Sequence, residues 1–240
     1  MSRPRGALPP VLLGVVVVAL IATGIRPYDR LTWFLETVWV IAGIPVVLLT
    51  WRRFPLTTLL CCLLAVHALI LMYGGLYTYA RTPLGDWLRD VFNLSRNPYD
   101  RIGHFAQGFV PAILIREILV RNSPLRGSRW LAPLVVCACL AFSSFFEMIE
   151  WWSALIGGSA ADDFLATQGD VWDTQWDMFM ALVGAITALV TLSRLHDRQL
   201  TTLADASAMR IKQSEVDSSR AVGGDASRRG GFDQREMPPR

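Results

Sequence analysis

Charge is scarce in this sequence, and lysine is almost missing. Only 18% of the 240 residues are Asp, Glu, Lys or Arg, against about 25% in a soluble domain. Every basic residue but Lys212 is arginine, the net charge is only +3, and no basic stripe interleaved with aromatics occurs. Nucleic acid is therefore not an expected partner. The four cysteines, Cys61, Cys62, Cys137 and Cys139, sit inside apolar runs without CxxC spacing. That argues against a zinc knuckle or redox pair and leaves them as small apolar side chains. No P-loop, HExxH or nucleophile motif is present, so no reaction is announced by a motif.

What is present is apolar and periodic in length. Hydrophobic residues make up 52% of the chain, with a mean hydropathy of +0.36. Six runs stand out, at 8–25, 33–50, 56–80, 104–120, 130–156 and 175–193, each near the ~20 residues a spanning helix needs. The sequence predicts an all-α polytopic membrane protein: six transmembrane helices in one bundle over 1–195, then a disordered cytoplasmic tail over 196–240. The fourth run is the weakest, since it opens with His104 and Gln107 and carries Pro111 and Arg116-Glu117. Without it five spans would remain and the C-terminus would change sides. Arg3 and Arg5 precede the first run without a clean cleavage site after it, which reads as an uncleaved signal-anchor.

Arginine placement sets the expected orientation. With the N-terminus inside, twelve basic residues flank the inner side of the spans or fall in the tail, and six flank the outer side. Both termini are thus expected in the cytoplasm of a bacterial inner membrane, by the positive-inside rule. The loop 157–174 has no basic residue and carries Asp162, Asp163, Asp170 and Asp173. One short echo recurs: Pro27-Tyr28-Asp29-Arg30 and Pro98-Tyr99-Asp100-Arg101 each precede an inward-going helix. It reads as an interfacial turn, with Tyr at headgroup level and Asp as the cap, rather than as an old duplication.

Ionisable residues inside spans cost about 2.5–3.5 kcal/mol each at the helix centre, so each one needs a reason. Three groups stand out: Asp100, Arg101, His104 and Gln107; Glu147 and Glu150; and Asp170, Asp173 and Asp177. Spacings of three, four and seven put each group on one helix face. In a six-span topology all three fall at outer helix ends. They are expected to converge into one outer-leaflet pocket, with His104, Glu147, Glu150, Asp173 and Asp177 as candidate catalytic or metal-ligating residues. Asp100, Arg101, Gln107, Asp170 and Glu36 would support them. Carboxylates so crowded need a bound divalent cation, an arginine such as Arg101, or retained protons. Oxygen ligands suit Mg, Ca or Mn, and a histidine among them also suits Zn or Fe.

Other polar residues read more plainly. Trp151, Trp152, Trp172 and Trp176 form an aromatic belt, and Asp162 and Asp163 sit in a wetted loop. His67 reads as a hydrogen-bonded interior histidine, Gly74-Gly75 as a close helix contact, and Arg116-Glu117 as a pair snorkelling to the inner interface.

Two strings, Tyr99 to Phe109 and Gln168 to Met178, resemble the bacterial YjdF-like inner-membrane proteins, a likeness that runs from about Pro10 to Leu192. Leu76 and Pro98 stand where that family commonly has His. More loosely, Asp100-Arg101 with His104-Phe105, Glu147-x-x-Glu150, and Asp173 to Asp177 with Gly184 resemble the VanZ-like proteins, with Arg101, Glu150 and Asp177 in place of Lys, Gln and Asn. The resemblance implies a cell-envelope setting and points to these residues without naming a reaction. The expected function is binding or processing of an anionic envelope lipid headgroup through a cation in the pocket. A metal would activate water or polarise a phosphoryl oxygen, with His104 or Glu150 as general base. The rival readings are a proton- or cation-coupled permease and a non-catalytic scaffold. Membrane lipids are the expected partners, and the sequence leaves the oligomeric state open.

Overall fold

The computed structural model describes residues 7–158 and 162–229, with side chains through Met209 except those of Asp162, Asp163 and Ser207. Eight α-helices follow in order: α1 (Leu8–Ile25), α2 (Arg30–Thr50), α3 (Thr58–Tyr77), α4 (Pro83–Phe92), α5 (Tyr99–Asn122), α6 (Leu131–Gly157), α7 (Asp162–Leu165) and α8 (Asp173–Arg229), with a 3-10 turn at Tyr79–Arg81 after α3. Six of them, α1, α2, α3, α5, α6 and Asp173–Ala206 of α8, are long and apolar enough to cross a membrane. No strand occurs among the described residues.

Local chemistry explains the boundaries. Prolines at the first turn start α1, where a missing N–H costs nothing. The Asp29 carboxylate accepts from Thr32 N at 2.7 Å and begins α2, and the Thr57 hydroxyl accepts from Leu60 N at 3.3 Å and begins α3. α3 stops at Thr78, whose φ of 59° no helix continues, so the third span is shorter than the run 56–80 suggested. α4 falls in a segment with no expected element. Leu84, Trp87 and Val91 are exposed along one face of it, while Arg89 pairs with Asp86 at 2.8 Å on another; that is the pattern of a helix lying in a membrane interface.

The weakest span by hydropathy is the most enclosed. The best window of α5 has a mean hydropathy of 1.2 and is 56% buried, against 2.5 and 6% for α1. Lipid demands apolar surface only where it touches a helix, so the central helix can carry the polar residues. Glycines let α5 and α8 meet: a Cβ on Gly108 would overlap the Ala181 carbonyl, and one on Gly184 would overlap that of Phe105. Gly74 serves differently, since the Tyr79 ring, also seated against Gly103, fills the space its Cβ would take.

Two expectations change. Arg116 and Glu117 do not snorkel; they are 7% and 0% exposed and bond other partners. His196, assigned to the tail, is fully buried, because its partners lie on α5. The backbone of α8 is helical through Arg229; residues 230–240 of the expected tail lie outside the described residues. In addition, Nε2 of His67 has no hydrogen-bond partner.

Candidate functional site

The start of α5 places Asp100, His104 and Gln107 on one buried face. The end of α6 adds Glu147 and Glu150, both buried, and the start of α8 adds Asp173 and Asp177. His104 is the meeting point. Its Nε2 lies 3.6 Å from Asp100 Oδ1 and 4.0 Å from Asp177 Oδ1, and its Nδ1 lies 3.8 Å from Glu147 Oε1. These separations exceed hydrogen-bond range. Correspondingly His104 Nδ1, Glu147 Oε1 and Asp177 Oδ1 are buried without a hydrogen-bond partner. Phe146 closes one side, its ring edge-on to His104 at 5.9 Å.

Asp100, His104 and Asp177 each offer one ligand atom, all within 4.8 Å of one another. Ligands ~2.1 Å from one ion at a tetrahedral angle stand roughly 3.4 Å apart, so a small contraction would put these three around a cation. The imidazole's other nitrogen would then turn to Glu147, as metal-bound histidines commonly turn to a carboxylate. From the sequence Asp100 is expected only in a supporting part. Glu150 reaches Glu147 instead, a contact between two carboxyls that needs a proton on one of them.

Asp173 goes elsewhere. It pairs with Arg96, a residue the sequence analysis missed. The Arg96 guanidinium is 3.5 Å from both Asp100 and Asp170 and donates to the Ala166 carbonyl at 3.1 Å. Arg101 pairs with Asp170 at 2.8 Å and lies over the Trp176 ring. Asp170 sits outside the spans, where the Trp172 N–H and then the arginine charges hold its carboxyl below the usual range. Arg96 stands in the bend before α5, outside any helical stripe, so periodicity does not mark it. Asn97, fully buried, anchors this loop by bonding Thr82 O and Asp86 while its own N–H and C=O pair with Gln168.

Glu36 is buried, hydrogen-bonded to the Tyr79 phenol, and close enough to Asp100 and Glu150 to act on them electrostatically. Gln107 is buried one turn farther along α5 than His104. The echo divides: Asp29 caps α2 and Tyr28 is exposed, whereas Asp100 faces the site and Tyr99 is buried, donating to Ile70 O. Trp151, Trp152, Trp172 and Trp176 are all exposed, as a belt requires. The side chains of Asp162 and Asp163 lie outside the described residues.

The family described as "Predicted membrane protein (DUF2238)" matches residues 8–198. The chain belongs to this family. It is also 55% identical over 181 residues to the inner membrane protein YjdF of Escherichia coli (strain K12), covering 75% of this chain and 87% of that protein. No solved structure matches. The family match takes in the whole site, the first five apolar helices and the sixth as far as Arg198, and the chain is an integral membrane protein.

Proposed function

We propose that this inner-membrane protein binds an anionic envelope lipid headgroup at the His104 pocket, through a divalent cation held by Asp100, His104 and Asp177. Glu147 orients His104, and Arg96 and Arg101 face the anion. The observation carrying the reading is the trio of buried, unpartnered atoms His104 Nδ1, Glu147 Oε1 and Asp177 Oδ1. Buried polar atoms without partners are costly, and an ion that draws the three helices together would remove that cost. The Nε atoms of Arg96 and Arg101 are likewise buried and unpartnered, which suits a phosphate-like group above the cation. The arginine distribution supports cytoplasmic termini and hence a pocket at the outer leaflet.

The contact between Glu147 and Glu150 favours a second reading, a proton-coupled permease in which that pair titrates during transport. Melting of the purified protein in detergent, with divalent ions or with a chelator, separates the two. A bound cation at 100 times its Kd should add about 2.7 kcal/mol of stability. Asp177→Asn and His104→Gln should shrink that gain, and mass spectrometry should find an anionic lipid retained by wild type and lost from both variants. Cation-independent melting of wild type would remove the metal and leave the permease.

A further inference from the structure

The opposite end of the bundle holds a second buried cluster. Glu117 Oε2 accepts from the Thr57 hydroxyl at 2.7 Å, Glu117 Oε1 accepts from Arg121 at 2.8 Å, and His196 Nε2 lies 3.0 Å from Oε2. His196 Nδ1 lies 3.0 Å from the Arg116 guanidinium. Arginine can only donate, so Nδ1 must be the acceptor and Nε2 must carry the proton that Glu117 receives. His196 is therefore neutral with both nitrogens occupied, and Glu117 is saturated with donors. Neither is free for acid–base work; together they hold Arg116 rigidly.

What Arg116 still presents is its other terminal nitrogen, bonded to Asp197 at 2.7 Å. The Arg116 side chain is 8% exposed and that of Asp197 is 56% exposed. Both line a cavity of about 250 Å³ between α5, α6 and α8, with Arg126, Ser128 and Ser193 also on its walls and Leu131 and Leu189 among its apolar ones. The space is smaller than the ~300 Å³ at which drug-sized clefts begin. It suits one headgroup.

We propose that this cavity binds a phosphate group, which takes the place of the Asp197 carboxylate on Arg116. A buried guanidinium fixed from behind is pre-organised for an oxyanion, and a half-exposed carboxylate competes weakly. Arg126 adds charge and the Ser128 hydroxyl a donor at the mouth, while the Ser193 hydroxyl already donates to Leu189 O, and the apolar walls suit the first acyl carbons of a lipid. The phosphate belongs either to a free anion or to a phospholipid, and the site is independent of the cation pocket.

The test is melting of the full-length protein in maltoside micelles, with a chelator present so that the cation pocket stays out of the readout. Sodium phosphate is compared with sodium chloride at equal ionic strength, and micelles are compared with and without phosphatidylglycerol. Phosphate should stabilise wild type, and Asp197→Asn should half-saturate at roughly two- to fivefold lower phosphate, the range expected on losing a weak exposed competitor. Arg116→Gln and the surface change Arg126→Gln should weaken the response. A response to phosphatidylglycerol alone, ordered the same way, assigns the phosphate to a lipid. If Arg116→Gln fails to fold, the other two variants decide. No stabilisation by either probe, or half-saturation unmoved by Asp197→Asn and Arg126→Gln, overturns the proposal.

Discussion

Arg96 is ion-paired to Asp173, 77 positions farther along the chain. The pair ties the segment before α5 to the start of α8 and sets a cation over buried carboxylates. Arg96→Gln strands Asp173 and Asp100 without it, at an expected cost of about 3–5 kcal/mol. Adding Asp173→Asn should restore part of the loss, a coupling of about 0.5–3 kcal/mol. Unfolding wild type, Arg96→Gln, Asp173→Asn and the double variant by SDS titration reads this directly, and strictly additive losses would show that the two residues do not interact.

The contact of α5 with α8 depends on Gly108 and Gly184, whose Cβ positions are filled by backbone from the other helix. Gly184→Val should cost about 1–3 kcal/mol or more, as overpacking does. Gly43 has nothing near its Cβ position, so Gly43→Ala should stay within about 0.5 kcal/mol. Equal melting temperatures for the two variants would contradict the packing.

Glu117→Gln should destabilise by about 3–5 kcal/mol, because Arg121 and the other donors lose a buried charge. An interfacial snorkelling residue would instead move stability by no more than about 0.5 kcal/mol. The same SDS titration distinguishes the two.

Asp170 gives a pH dependence with a definite sign. Its carboxyl is held below the usual range by the Trp172 N–H and by Arg101 and Arg96. Its contribution is therefore present above the ordinary carboxyl value of about 3.9 and is lost as pH falls through the lower folded value. Wild type should melt above Asp170→Asn at pH 7, and the difference should close below about pH 4. A gap that stays constant between pH 7 and 3 would remove Asp170 from the ion-pair network.

Reporter fusions test the orientation. One that is active only outside the cytoplasmic membrane should be silent after Arg240 and active when inserted after Gly158. The reverse pattern would move the His104 pocket to the cytoplasmic side.

Residue type and run length alone determined six apolar helices, because a spanning segment must satisfy its backbone internally and meet lipid with apolar side chains. They also singled out His104, Glu147, Glu150, Asp173 and Asp177, since polar residues at span ends are conspicuous. Asp173 and Asp177 share a helix stripe, yet one binds Arg96 and the other turns to His104; only the neighbouring helices decide which. Arg96, in a loop, and His196, past the last apolar run, carried no periodic signal, and their partners lie 77 and 79 positions away. Helical periodicity reports neighbours three or four residues apart. Contacts across helices arise from packing, where Gly108 and Gly184 let two backbones close, and that proximity is written in the tertiary structure alone.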